Sequence, residues 1–160
     1  MSESKTPSSL SITNCVFGIQ EKDKKILLVK NLYKEFGPIW GIPGGKQKPG
    51  ESAQVTLKRE FLEETKQVIE VGKFITVFER IQLQRPFHLL APVFEITSKD
   101  SPLIPKNDIV IDYHYFSIEE LKSNAETIMN REQLIQFLED RHKVPPFCNL
   151  KSDLDSGPIS

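Results

Sequence analysis

The sequence predicts a single α/β (α+β) domain, a mixed β-sheet layered against α-helices. Three observations predict it. Stretches with period-2 apolar alternation, or short apolar runs, are interspersed with two or three helical patterns, and such mixtures pack as layers. The chain has 160 residues, enough for one domain with a core of its own. Its apolar fraction of 38% and charged fraction of 27% are those of a soluble globular chain.

Residues 1–10 are Ser/Pro-rich and read as a loose tail, so the domain is placed at 11–143. Residues 10–20 read as a strand, with Cys15, Phe17 and Ile19 alternating. A polar turn at 21–24 leads to a second strand over 25–30, whose run Ile26-Leu27-Leu28-Val29 predicts burial on both faces. Residues 31–38 read as a loop carrying Tyr33 and Phe36, and a strand covers 40–42. Pro43-Gly44-Gly45 and Pro49-Gly50 are turn signals, and Gly allows close approach of backbone to a ligand. Residues 52–65 predict a helix with Ser52 or Glu51 at its start. Ala53, Leu57 and Phe61 form its core stripe, while Val55 and Leu62 on another side predict a helix packed between layers. Residues 74–82 and 87–97 are strands joined by a turn near 84–86, and 109–116 is another strand. Ser117 with Glu120 forms a capping box opening a further helix. Residues 130–140 are a last helix with Leu134, Phe137 and Leu138 inward, and 144–160 read as a tail.

Arg59-Glu60-Phe61-Leu62-Glu63-Glu64 is the most informative segment. At about 100° per residue, the three carboxylates crowd one arc of one helical turn. Each like-charge pair costs on the order of 0.2–0.5 kcal/mol, and the nearby helix C-terminus disfavours acids further. A hard divalent cation offsets that repulsion, since Mg²⁺ takes oxygen ligands from a few carboxylates and from substrate phosphates. The Gly-rich turn brings backbone carbonyls beside the acids, and Arg59 can lock Glu51 or Glu63 by a bidentate ion pair.

Gly45, five residues, Glu51, seven residues, Arg59-Glu60, Phe61, one residue and Glu63-Glu64: this spacing resembles the Nudix box. The resemblance implies the Nudix fold, a mixed sheet between helices. It also implies a pyrophosphohydrolase that uses Mg²⁺ or Mn²⁺ to cleave the diphosphate of a nucleoside diphosphate linked to another moiety. On that reading Glu60, Glu63 and Glu64, with the Gly44 carbonyl, hold the metal. Glu63, Glu64 and Arg59 serve catalysis, and Glu51 orients Arg59. Asp112, three residues before the pair Tyr115-Phe116, occupies the place of a family acid that contributes metal binding or a base, with Asp108 a weaker candidate. Either a box Glu or Asp112 can be the general base. The pattern departs from the family at Lys66 and Gln67, where the family has Gly, which ends the helix, and an apolar residue. Some subfamilies carry a Pro or Tyr shortly past the box; 81–85 has neither, so the substrate stays open.

Trp40 beside the Gly turn can stack a base or anchor the core, and Arg85 is a loop candidate for substrate binding, as are Tyr33 and Phe36. None of His88, His114 or His142 reads as a catalyst. Cys15 and Cys148 read as reduced thiols, since neither has a ligand partner at zinc spacing. No secretory signal and no membrane-length apolar run are present, which predicts a cytoplasmic protein. A net charge of −1 gives no basic field for nucleic acid, so the expected partner is a small nucleotide substrate, with a homodimer left open. Two alternatives stand beside this reading: a non-catalytic domain of the same fold, against which the intact glutamates argue, and an mRNA-decapping enzyme, against which the charge argues.

Overall fold

The computed structural model describes residues 11–83 and 87–149. The tail expected at 1–10, the turn at 84–86 with Arg85, and residues 150–160 lie outside them. The chain runs β1 (Ile12–Lys22), β2 (Lys25–Tyr33), β3 (Gly37–Gly41), β4 (Gly44–Lys46), α1 (Ala53–Thr65), β5 (Glu70–Gln82), β6 (Phe87–Thr97), β7 (Val110–Phe116), α2 (Ile118–Ser123), α3 (Arg131–Glu139), a 3₁₀ turn (Arg141–Lys143) and β8 (Phe147–Asn149). The strands form a mixed sheet of order β3-β2-β1-β6-β5-β8, with β4 paired to β1 and β7 to β2. β1–β6 and β5–β8 are parallel and the other pairs antiparallel.

β1 and β2 are joined by a two-residue turn in which Asp23 and Lys24 both take positive φ, 52° and 60°. That is the geometry of a type I′ hairpin, whose twist matches the flanking strands. The expected both-sided burial of Ile26 to Val29 holds, for all four are 0% exposed. β2 continues to Tyr33 and pairs with β3 from Gly37, so the loop expected over 31–38 shrinks to 34–36. Gly44–Lys46, read as a turn, is a short strand along the edge of β1. Apolar periodicity is blind to it because two of its three residues have no side chain. Residues 147–149, expected in a tail, pair parallel with β5.

Successive strand residues point to opposite faces, and the two faces of β1 and β6 feed two cores. On one face Val16 and Ile96 pack with Leu57, Phe61 and Ile69, and this is how α1 is held. On the other, Cys15, Ile19, Leu89, Ala91 and Val93 pack with Phe78, Leu134 and Phe137, so α3 covers the reverse side. α1 sits very close to the sheet. A Cβ on Gly18 would lie 2.8 Å from Phe61 Cε2 and 2.4 Å from Ile96 Cγ1. α1 buries one stripe only. Val55 and Leu62, expected to meet a second layer, are 52% and 50% exposed. The sheet lies on one side of the helix, and these two residues point away from it. Among the described residues no helix is long and apolar enough to cross a membrane.

Ser52 caps α1 by accepting from Val55 N–H, and the capping box of α2 forms between Ser117 and Glu120. α1 ends at Lys66 in the left-handed conformation, φ 60° and ψ 16°. The next residue, Gln67, is 0% exposed, yet satisfied: Thr65 Oγ1 donates to its Oε1 (3.0 Å) and its Nε2 donates to the Asp100 carbonyl (2.8 Å). A left-handed conformation costs a side-chain residue about 1–2 kcal/mol. Lys66→Gly is therefore expected to leave stability unchanged or raise it by up to about 1 kcal/mol, as read by urea denaturation. A lowered midpoint would show that the Lys66 side chain contributes more than a cap.

Candidate active site

The site is assembled by β4 and the last two turns of α1. Gly44 has φ 147°, and a Cβ there would fall 2.2 Å from the Val16 carbonyl oxygen, so only glycine lets β4 lie this close to β1. Its N–H donates to Glu64 Oε2 at 3.0 Å. Gly45 leaves the space that the Glu60 carboxyl group occupies, for a Cβ there would lie 2.5 Å from Glu60 Oε1.

Arg59 ties the parts together. Its Nε and Nη2 donate to the two oxygens of Glu51 at 2.8 and 2.9 Å, the bidentate pair expected from sequence. Nη1 reaches Glu60 Oε1 at 2.8 Å and Glu63 Oε2 at 3.5 Å, and Nη2 also donates to the Lys46 carbonyl at 3.0 Å. Glu51 accepts further bonds from Lys48 N–H and Thr56 Oγ1. The hydrogen bonds from Arg59, the largest influence, hold the Glu51 carboxyl down at about 2.

Glu64 is the opposite case. Burial pushes its carboxyl up to about 8, against the Gly44 N–H, and the charges of Glu60 and Glu63 push the same way. It is a half-buried acid whose one hydrogen-bond partner among the described residues is the Gly44 N–H. Glu63 has a side chain 56% exposed and is the least restrained of the three. Among the described residues no three Cys, His, Asp or Glu side chains form a ready metal cage. The donor set nevertheless fits a hard cation that keeps waters and shares its shell with substrate phosphates.

Lys46 lies beside this cluster, a residue the sequence reading did not single out although it directly follows the double glycine. Cys15, its partner across β1 and β4, is free and buried. Its thiol is pushed up to about 11 by burial, with Lys46 opposing and Glu60 adding to the rise. It is therefore a protonated wall residue at neutral pH. Tyr33 is close enough to Glu64 for that charge, after burial, to raise its hydroxyl.

Trp40 is 4% exposed, stacked edge-on against Phe116 at 5.0 Å, and its Nε1 donates to Glu126 at 2.6 Å. Of its two expected roles, this placement matches the core anchor. Asp112 is not brought to the glutamates. β7 alternates, so Tyr113 and Tyr115 point toward the α1 side, where Tyr115 is hydrogen-bonded to Gln67. Asp112, His114 and Phe116 point the other way. There Asp112 lines a cavity of about 340 Å³ with Trp40, His114 and Glu120. Asp112 Oδ1 accepts the N–H of Tyr113 at 2.8 Å, and Asp108 is exposed in the preceding turn. His88 and His114 pair with Glu79 and Glu120, both at 2.9 Å, outside the glutamate cluster.

A family model described as NUDIX domain matches residues 11–139. A Bacillus subtilis (strain 168) protein provisionally named 8-oxo-dGTP diphosphatase is 38% identical over 71 residues, 44% of this chain and 46% of that protein. An ADP-ribose pyrophosphatase of Methanocaldococcus jannaschii is 34% identical over 79 residues, 49% of this chain and 47% of that protein. The matched stretch thus spans about half the length of each of these relatives. A crystal structure of a MutT NUDIX hydrolase from Burkholderia pseudomallei superposes with a TM-score of 0.70 at 20% identity, covering 79% of this chain and 97% of that one, a likeness of fold.

The Glu64 carboxyl is raised in the fold from its usual 4.5 to about 8, so the folded state holds a proton that the unfolded state releases. The stability this adds is complete below about 4.5 and is lost as pH rises through about 8, at up to about 1.4 kcal/mol per unit. In chelator, the melting temperature of the protein is expected to fall between pH 5 and 8 relative to Glu64→Gln, and Mg²⁺ is expected to close the gap. Parallel melting curves of the two proteins would contradict it.

Proposed function

The chain belongs to the NUDIX-domain family, and on that footing we propose that it is a divalent-metal-dependent pyrophosphohydrolase acting on a nucleoside diphosphate linked to another moiety. The observation that carries the proposal is geometric: Gly44 N–H donates to Glu64 Oε2 at 3.0 Å, Gly45 leaves the space the Glu60 carboxyl fills, and Arg59 joins Glu51 to Glu60, so the carboxylates of one helical turn are gathered against the β4 backbone. Such an arrangement is unfavourable alone and becomes favourable with a cation. Mg²⁺ or Mn²⁺ is the assignment, held by Glu60 and Glu64 with Glu63 and the Gly44 carbonyl as further ligands. When bound, the metal neutralises the diphosphate and acidifies a water.

The chain's own residues supply the rest. Arg59, oriented by Glu51, sets the position of Glu60 toward the substrate and reaches Glu63 only at 3.5 Å. Glu63, exposed and only loosely reached by Arg59, is the box carboxylate with lone pairs free to take the proton of the attacking water. The attacking oxygen bonds to one phosphorus, the bridging P–O bond breaks, and the other phosphate leaves. Asp112 is left out of proton transfer, because its side chain stands on the opposite face of β7. The names of the relatives make 8-oxo-dGTP and ADP-ribose the first substrates to try, followed by nucleotide sugars and dinucleoside polyphosphates.

A substrate panel with Mg²⁺ and Mn²⁺ tests the reading. Chelation is expected to abolish hydrolysis and metal to restore it. Glu64→Gln is expected to lower kcat by several orders of magnitude, Glu60→Gln to weaken metal activation, and Asp112→Asn to stay within a few-fold of the parent. Normal turnover by Glu64→Gln would remove the site assignment. A large kcat loss in Asp112→Asn would return that residue to the chemistry.

A further inference from the structure

A cavity of about 460 Å³ opens beyond the last turn of α1. Gln20 of β1 and its partner Ile96 of β6 form its floor, and the loop 98–102 and Tyr113 with Tyr115 of β7 form its walls. Val16, Gly18 and Gln20 alternate onto the face of β1 that meets α1. Phe61 packs with Val16 and comes close to Gly18, and Gln20 follows where the helix no longer covers the sheet. Gln20 is 5% exposed, and its Oε1 is buried without a hydrogen-bond partner among the described residues. Such an atom is costly to leave unpaired. The terminal torsion of a glutamine is soft, so the carboxamide can turn to a group that enters the cavity. The described residues give out only at the opposite end of the sheet, where β1 and β6 begin and β5 and β8 end, roughly 25 Å away along β1.

The rim is held in place by its own hydrogen bonds. Ser98 Oγ donates to the Val68 carbonyl at 2.7 Å and accepts from Asp100 N–H at 3.1 Å. Asp100 Oδ2 accepts from Val68 N–H at 2.9 Å, and the Asp100 carbonyl accepts from Gln67 Nε2 at 2.8 Å. Gln67, one of the two departures from the box pattern, is also bonded to Thr65 at the end of α1 and to Tyr115. It thereby forms a partition between the cavity and the helix that carries the glutamates. Lys22 and Lys99 stand exposed at the mouth, and neither has an ion-pair partner among the described residues. The acids beside them are engaged, Glu21 by Arg141 and Asp100 by Val68 N–H.

We propose that this cavity binds the base of a mononucleotide, at a site separate from the glutamate cluster. A carboxamide offers one acceptor and one donor side by side, whichever way it is turned, and that pair matches the edge of a purine or pyrimidine. Tyrosine rings give a base a surface to pack on, with tolerance for which base it is. The volume falls in the range of small-molecule sites, about 300–1,000 Å³. With the base on Gln20, a phosphate at the mouth meets Lys22 and Lys99. The ligand class follows from the walls of the cavity, so the proposal goes beyond the pyrophosphohydrolase reading and does not depend on it.

The test is calorimetric titration of the full chain in chelator with AMP, GMP, CMP and UMP, the matching nucleosides and ribose 5-phosphate serving as competitors. At least one mononucleotide is expected to bind, with its nucleoside displacing it and ribose 5-phosphate not. Q20M, of nearly the same shape without the amide, is expected to bind it at least tenfold more weakly. Tyr113→Leu, on the facing wall, is expected to bind at least threefold more weakly and reads the same site should Q20M fail to fold. Backbone amide resonances of residues 98–101 are expected to shift on binding while those of Gly44 and Gly45 stay. Glu64→Gln is expected to bind as the parent does, and a tenfold loss there would put the base at the glutamates and overturn the separate site. Failure of all four mononucleotides to bind at millimolar concentration overturns the proposal, as does displacement by ribose 5-phosphate as strong as by the nucleoside. Binding by the folded variants of Gln20 and Tyr113 within twofold of the parent overturns it too. A chain that binds the base here and hydrolyses nothing sinks the catalytic reading alone.

Discussion

The arrangement of the site depends on one guanidinium. Arg59 donates to Glu51 in the turn before α1, to Glu60 and Glu63 on α1 itself, and to the Lys46 carbonyl at the end of β4. Three successive pieces of one stretch of chain are fixed to one planar group. Its side chain is 20% exposed and those of Glu51 and Glu60 are 16% and 13%, so these bonds are shielded from water and less screened than surface pairs. A lysine in its place has the charge and lacks the fork, and cannot hold both oxygens of Glu51 while reaching Glu60. Without such a group the like charges of one helical turn would be uncompensated, while apolar packing against Val16 and Ile96 would still hold α1 to the sheet.

Close packing then gives the charges their values. α1 lies tight against the sheet because Gly18 presents no side chain to Phe61, and Gly45 leaves room for the Glu60 carboxyl. The same closeness encloses Glu64 and pushes its carboxyl up to about 8, while Glu51, surrounded by donors, is held near 2. Two glutamates 13 positions apart on one short segment thus take opposite protonation behaviour from their surroundings alone.

Beside the glutamates the ground is uncharged: Cys15, protonated and buried, packs with Leu89 and Ala91 in the core under α3. Trp40 and Asp112 belong to a separate arrangement, in which the indole is tied to Glu126 and the carboxylate lines the cavity below α2.

Local order in the chain was enough to read α1 and its cap at Ser52, the double-sided strand at Ile26 to Val29, the capping box at Ser117 and the glutamate arc. Each depends on residues a few positions apart, and periodicity and capping are properties of such short stretches. The pairing of Arg59 with Glu51 was legible for the same reason. What escaped was whatever depends on distant partners. β4 is a strand because β1 lies beside it, and residues 147–149 because β5 does. Val55 and Leu62 are exposed because only one layer meets α1. Asp112 and Tyr113 are neighbours in sequence, yet the pleat sends them to opposite faces, and only the pairing of β7 with β2 decides which face meets the site.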